Sequence, residues 1–337
     1  MSETIATGLA TIVLDTAEQH YRLSRRALLD VARLEPEALR DPSGLVPRAA
    51  FEDLLRAVVR ESGDPALGLR CAEAVDLRTQ GFWGYALMAS LTLRERLEVH
   101  ARYLRLRGPF EMSLHTEGHW LAVCVGVHSV GEDLVPVIVD WGIGGSCLQL
   151  KRRASGRALP LEAWLTLREQ PHHRELRAWV GGPVVFEAPE TRLHIPESEL
   201  DRPLDGDPYL GQLATAQLDA TLARLSEGER RAFLDQVRER LSARLGGDTS
   251  LVRIAGDLRV SARTLQRQLA ADGMSFQELL EEVRHARAVA LLVESDASVE
   301  HIALRLGYGD PSNFRRAFRR WTGVAPAAYR AVHRARV

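Results

Sequence analysis

From residue 254 onward the apolar positions of the chain repeat. Ile254-Ala255-Gly256-Asp257-Leu258 aligns with Ile302-Ala303-Leu304-Arg305-Leu306 at an offset of 48. After the following turn the offset becomes 49, pairing Ser261 with Asp310, Leu265 with Phe314 and Leu269 with Phe318. A self-match of this length marks a duplicated supersecondary unit, with one residue added to the second turn. Each copy reads as helix, short turn, helix. Ser261 and Asp310 carry the side-chain oxygen that caps the second helix, and Pro311 follows at the first helical position, where its missing N–H costs nothing. Leu265 and Leu269, like Phe314 and Phe318, stand four apart on one buried face. The small Ala255 and Ala303 let the two helices of each unit cross closely.

Between the copies, Ser275 and Glu278 have the spacing of a capping box. Phe276, Leu279, Leu280, Val283, Ala286 and Ala290 continue at helical spacing, predicting a linking helix of about 18 residues and about 27 Å. That span is comparable to the roughly 34 Å between major-groove faces on one side of a duplex. Trp321, Val324 and Tyr329 read as the core of a final helix.

Away from the apolar face, the second helix of the first copy presents Arg263, Thr264, Gln266 and Arg267; that of the second copy presents Ser312, Asn313, Arg315, Arg316 and Arg319. Such side chains donate to guanine, pair with adenine through an amide, or grip phosphate. Charge supports this. Residues 240–337 hold 16 Arg against 10 acidic residues, whereas residues 1–239 hold 28 basic against 35 acidic, an asymmetry hidden by the net charge of −1. A basic carboxy-terminal part joined to an acidic body points to a polyanionic partner for the former.

The amino-terminal two thirds give a weaker pattern. Helices are expected from Pro47-Arg48 through Phe51, Leu54, Leu55 and Val58 to Gly63, from Ala66 to Val75, after Gly81-Phe82-Trp83-Gly84-Tyr85, and after Thr92 as cap. Phe110–His115 and Trp120–Val125, with Glu117-Gly118 between, read as a β-hairpin. Residues 133–153 fit neither period. Leu161–Leu167, Val184–Phe186 and Arg192–Ile195 read as strands, and His172–Val180 as a short helix. The expectation is an α+β domain over residues 1–208, helices first and strands later, then a helical connector over 209–227, broken at Ser226-Glu227-Gly228, and an all-α domain over 228–337 with two helix-turn-helix units. In that all-α domain Phe233, Leu234, Val237 and Leu241 face inward on the first helix.

With 337 residues, 45% of them hydrophobic and 26% charged, the chain has material for about two domains and is neither disordered nor a small stapled scaffold. Apolar runs such as Phe82–Leu91 stop well short of the roughly 18 residues a membrane span needs, and the first 30 residues lack a signal pattern, so a cytoplasmic location away from membranes is expected. Cys71, Cys124 and Cys147 lack paired spacing and read as buried thiols.

Residues from about 228 to 335 resemble the DNA-binding domain of the AraC/XylS family of bacterial transcription regulators. The resemblance is carried by Ile254-Ala255, Val260-Ser261-Ala262-Arg263-Thr264-Leu265-Gln266-Arg267-Gln268-Leu269, Ile302-Ala303, Leu306-Gly307-Tyr308, Pro311-Ser312-Asn313-Phe314-Arg315-Arg316 through Gly323, Pro326 and Tyr329-Arg330. It implies that the second helix of each unit enters a major groove, so that one chain fills two adjacent major-groove segments of double-stranded DNA. It further implies that Ser261, Arg263, Thr264, Gln266, Arg267, Pro311, Ser312, Asn313, Arg315, Arg316 and Arg319 lie at or near the nucleic acid. Pro311 has no N–H to donate, so a base contact there is apolar. An activator that touches RNA polymerase and works as a homodimer is a further implication.

Residues from about 81 to 204, including Gly81-Phe82-Trp83-Gly84, Gly182-Pro183-Val184-Val185-Phe186 and Leu200-Asp201-Arg202-Pro203-Leu204, resemble the arabinose-binding-like sensory domain of one subgroup of that family. It implies a small-molecule effector. Trp83, Tyr85, Trp120, Trp141, Trp164 and His194 are the amphipathic side chains that pockets favour, and Trp83, Tyr85 and Trp120 are the residues assigned to a cavity. His194 sits between Leu193 and Ile195 on a strand, where it is expected to face solvent.

No metal or other cofactor is expected. His115-Thr116-Glu117-Gly118-His119 places two histidines four apart, but a zincin needs a helix and a glutamate directly after the first histidine. Trp141-Gly142-Ile143-Gly144-Gly145-Ser146 lacks the lysine of a phosphate loop. No catalytic residues are assigned. Two function classes remain: a transcription regulator under effector control, and an enzyme or ligand-binding protein with an appended DNA-binding module.

Overall fold

The computed structural model describes residues 3–153 and 159–334. The outermost residues of the two expected domains, 1–2 and 335–337, and the segment 154–158 lie outside the described residues. The chain divides into two compact units, Met1–Arg224 and Leu225–Val337.

The first unit is α+β. It opens with β1 (Thr4–Ala6), α1 (Thr7–Tyr21), α2 (Arg25–Ala32), β2 (Leu45–Pro47), α3 (Arg48–Ser62), α4 (Leu67–Glu73), α5 (Gly81–Ala89) and α6 (Leu93–Tyr103). Then follow β3 (Phe110–Glu117), β4 (Trp120–Val127), α7 (Val135–Arg153), β5 (Glu162–Trp164), α8 (His173–Val180), β6 (Val184–Val185) and β7 (Arg192–Pro196). The order differs from helices first, strands later, because β1 pairs antiparallel with β2, Ile5 opposite Val46, before the helices are complete. Local signals act as read: Gly63 ends α3 with φ of 60°, and the Thr92 hydroxyl accepts from the Glu95 N–H at 3.1 Å.

Five strands form one sheet in the order β3-β4-β7-β5-β6, antiparallel except for the β5–β6 pair. The hairpin forms as expected, but its turn falls at Gly118-His119 rather than Glu117-Gly118, because Glu117 still pairs with Trp120 at the end of the ladder. One core joins α1, α3 and α4 through Phe51, Leu54, Leu55 and Leu67; a second lies on the sheet under α7 and α8, through Val123, Ile143, Leu161, Leu193 and Ile195. The segment that fits no period becomes α7. Gly68 of α4 lets α7 approach so closely that a Cβ there would meet the Val137 carbonyl oxygen.

The connector differs from expectation. Pro208–Arg244 is one helix, α9, and Ser226, Glu227 and Gly228 lie within it. Glu227 pairs there with Arg230 and Arg231, i,i+3 and i,i+4 contacts that only a helix brings together. Ala214 and Leu218 pack with Ala86 and Tyr103, and the Tyr103 hydroxyl meets Asp219 at 2.7 Å, so the first half of the helix belongs to the first unit.

The second unit contains α10 (Leu251–Asp257), α11 (Ala262–Ala271), α12 (Phe276–Glu294), α13 (Val299–Arg305), α14 (Pro311–Thr322) and α15 (Pro326–Arg334). Val237 and Leu241 of α9 are buried, while Phe233 and Leu234 pack partly buried against the same core. The capping box of α12 is formed by Ser275 and Glu278. This helix serves two cores in succession, Leu279, Leu280 and Val283 in one and Ala288, Leu291 and Leu292 in the other. The stripe therefore shifts to Ala288, and Ala286 is exposed. Val324 is 44% exposed rather than core, because it follows the Gly323 cap and precedes α15; Trp321 and Tyr329 do pack on the second core.

Candidate DNA interface and effector cavity

The two helix-turn-helix units differ mainly in their turns. In the first, Arg259 adopts φ of 56°; at the same point of the second stands Gly307, with φ of 81°. The Ser261 hydroxyl accepts from the Thr264 N–H at 3.0 Å and Asp310 accepts from the Ser312 N–H at 2.8 Å, fixing the start of α11 and α14. Leu265, Leu269, Phe314 and Phe318 are fully buried, so the opposite faces of both helices are turned outward.

Ser261, Arg263, Gln266, Arg267, Ser312, Asn313, Arg315, Arg316 and Arg319 are exposed, and Thr264 and Pro311 partly so. The cations are not equivalent. Arg263, Arg267 and Arg319 enter no ion pair among the described residues. Arg316 Nη2 donates to Asn313 Oδ1 at 2.6 Å, and Arg315 pairs with Glu300 of α13. Arg320 is also held, by Glu281 of α12 at 2.7 Å.

The first unit contains a cavity of about 380 Å³, lined largely by aliphatic side chains, among them Leu93, Leu97, Val123, Val125, Ile143 and Leu193. Trp83 lines it; Tyr85, 38% exposed on the outer face of α5, and Trp120, packed edge-on against His194, are not part of the lining. His194 is itself buried between Trp120 and Trp164 rather than facing solvent. Trp141 also lines the cavity.

Four polar side chains meet at this cavity. Arg107, on the turn before β3, lies over the Trp83 ring at 4.4 Å and donates to Gln80 Oε1 at 2.5 Å. Trp83 meets the His100 ring edge-on at 5.1 Å, and its indole N–H is buried without an acceptor. Burial alone pushes Arg107 down to about 9; burial, and secondarily Arg107, push His100 down to about 4. His100 is therefore neutral at pH 7, while Arg107 remains cationic without a carboxylate partner among the described residues.

A third constellation had no signal in sequence spacing. Asp140 of α7 lies 3.0 Å from His172 Nε2 and 3.1 Å from His173 Nε2, and all three side chains are nearly inaccessible. The donor set resembles a metal site. The tautomer argues otherwise: His173 Nδ1 accepts the Gln170 N–H at 2.9 Å, so its proton sits on Nε2 and points at the carboxylate. A cation at that nitrogen would need an imidazolate. His115, Glu117 and His119 lie on or beside the hairpin turn rather than on a helix. Cys71 and Cys147 are buried, and burial pushes both thiols up to about 12; Cys124 on β4 is only half-buried.

A tandem pair of capped helix-turn-helix units in one chain with a cavity-bearing domain defines a DNA-binding regulator with a sensory domain. Residues 23–204 match the arabinose-binding domain of AraC transcription regulators, and residues 231–331 match a helix-turn-helix domain. The chain is 31% identical over 332 residues to the ornithine utilization regulator of Pseudomonas aeruginosa, spanning 98% of this chain and 97% of that one. An HTH-type transcriptional regulator of Mycobacterium tuberculosis is 29% identical over 333 residues, 95% of this chain and 94% of the relative. Among solved structures, the transcriptional regulator CdpR of Pseudomonas aeruginosa aligns with 91% of this chain and 96% of its own, at 24% identity and a TM-score of 0.45. The chain belongs to the AraC family of transcription regulators. It is a DNA-binding regulator of transcription rather than an enzyme. No helix among the described residues is long and apolar enough to cross a membrane.

Proposed function

We propose that α11 and α14 enter two successive major-groove segments of double-stranded DNA, and that a small molecule in the 380 Å³ cavity sets how strongly a homodimer holds its half-sites. The observation that carries this reading is the matched pair of outward faces: each is capped and backed by a buried apolar pair, the first dressed with Arg, Thr and Gln and the second with Arg, Ser and Asn. Arg263, Gln266 and Arg267 read base edges; Arg315 and Arg316 divide between base and phosphate; Ser261, Thr264, Ser312, Asn313 and Arg319 steady the backbone, and Pro311 offers only apolar contact.

Residues 1–208 form the sensory part, 228–337 the DNA-binding part, and 209–227, within α9, connect them. Coupling follows from linkage: an effector that favours the self-associating state raises the effective concentration of the second DNA-binding domain beside its half-site. Contact with RNA polymerase and activation fit the family, as does a cytoplasmic location with the chromosome.

Selection from random duplexes, followed by footprinting of the full-length chain, tests the reading. Protection of two groove segments about one turn apart is expected per half-site. Gln266→Ala should relax preference at one or two base pairs, at a cost of about 1–3 kcal/mol. Protection limited to one segment, or no enrichment of any sequence, overturns it.

A further inference from the structure

We infer that the effector is a monocarboxylate with an apolar body, its carboxylate seated against Arg107 and its body among the aliphatic walls of the cavity. The inference rests on the reading of the amino-terminal domain as an effector-binding domain and adds the chemical class. Arg107 is 5% exposed and lines the cavity; among the described residues its guanidinium meets no carboxylate, donating to the neutral Gln80 amide and lying over the Trp83 ring. A guanidinium withdrawn from water without a counter-charge is costly, and a carboxylate is the planar acceptor its donor fork fits best. The indole N–H of Trp83, beneath it and without an acceptor, supplies a further donor. His100, kept neutral, adds no competing charge.

The rest of the lining decides the body of the ligand. Its cations are Arg96, Arg107 and Arg202; its carboxylate is Glu199, which already meets Arg202 Nη1 at 2.5 Å. Arg96 Nε donates to the Leu87 carbonyl at 2.8 Å. Nothing in this set favours an ammonium group, and the aliphatic walls favour hydrocarbon. The volume lies near the lower end of the roughly 300–1,000 Å³ typical of small-molecule sites, which suits a medium-chain or aromatic acid.

The test is a charge series on the full-length protein: sodium decanoate, decan-1-ol and decyltrimethylammonium, each below its micellar concentration, followed by calorimetry and tryptophan fluorescence. Decanoate is expected to bind at least about tenfold tighter than decan-1-ol, with the cation weakest. Arg107→Gln should abolish the preference for decanoate over decan-1-ol, and Arg107→Lys should keep part of it. Equal affinities across the wild-type series, no binding of decanoate, or the same preference in Arg107→Gln overturns the inference. Should Arg107→Gln fail to fold, the wild-type series decides alone. L-ornithine is run alongside: tighter binding than decanoate would overturn the monocarboxylate class while leaving effector binding intact, and footprinting judges the DNA-binding reading independently.

Discussion

Arg315 of α14 is ion-paired with Glu300 of α13, so a cation on the outward face of α14 is already engaged within the protein. Among the described residues no such pair restrains Arg263 or Arg267 on α11. An exposed ion pair is worth at most about 1 kcal/mol, and contact with phosphate must first break it. Glu300→Gln should therefore tighten binding to a selected duplex by up to about fivefold and steepen the salt dependence by up to about one unit. Fluorescence anisotropy across a salt series reads both. Unchanged affinity together with an unchanged slope would mean that Arg315 stays clear of the DNA.

The second unit was legible in the sequence because its determinants are local. Ser261, Asp310, Ser275 and Pro311 act within one helical turn of their own positions, and the pairs Leu265/Leu269 and Phe314/Phe318 mark their faces by spacing alone. The first unit was less legible because its site is assembled across the chain. Gln80, Trp83, His100 and Arg107 come from three separate helices or turns, and nothing about an isolated Arg107 distinguishes it from the many surface arginines. Asp140 meets His172 and His173 across more than thirty residues. α7 hides its period because Gly142, Gly144 and Gly145 interrupt an otherwise apolar run. The break expected at Ser226-Glu227-Gly228 fails for the opposite reason: local turn chemistry yields to α9, whose i,i+3 and i,i+4 pairs of Glu227 hold the helix.

The Asp140 cluster is a buried hydrogen-bonded group with a stabilising role. Asp140→Asn would set an amide N–H against one of the two imidazoles that the carboxylate now receives, costing about 1–3 kcal/mol. Thermal denaturation should show a midpoint lower by about 2–4 °C for each kcal/mol lost. Zinc should leave the wild-type midpoint unchanged, because His173 presents a proton, not a lone pair, to the site. A zinc-dependent rise that Asp140→Asn removes would establish a metal site instead.

Gly68 sets the distance between α4 and α7. A Cβ at this position would lie 2.8 Å from the Asp140 Cβ as well as against the Val137 carbonyl, and neither is the free end of a flexible chain. Gly68→Ala must therefore move α7, which carries Asp140 and the cavity-lining Ile138, Val139 and Trp141. Overpacking of this kind costs about 1–3 kcal/mol, against which the better helix propensity of alanine returns up to about 1 kcal/mol. A lower midpoint with altered near-ultraviolet dichroism is expected; a midpoint at or above wild type would show that α7 yields without strain.

His100 gives stability a specific pH dependence. In the unfolded chain it titrates near 6.5, whereas in the fold burial, and then the Arg107 charge, hold it near 4. Between these values the unfolded state binds more protons, so the contribution of His100 is fully present above about pH 6.5 and is lost as pH falls toward 4. The shift sets a ceiling of about 3 kcal/mol on that loss. Urea denaturation at intervals across this range should show stability falling with acid, and His100→Gln, which cannot titrate, should flatten that part of the profile. An identical acid limb in both proteins would assign it to other groups, with the neutral imidazole at the cavity wall no longer its source.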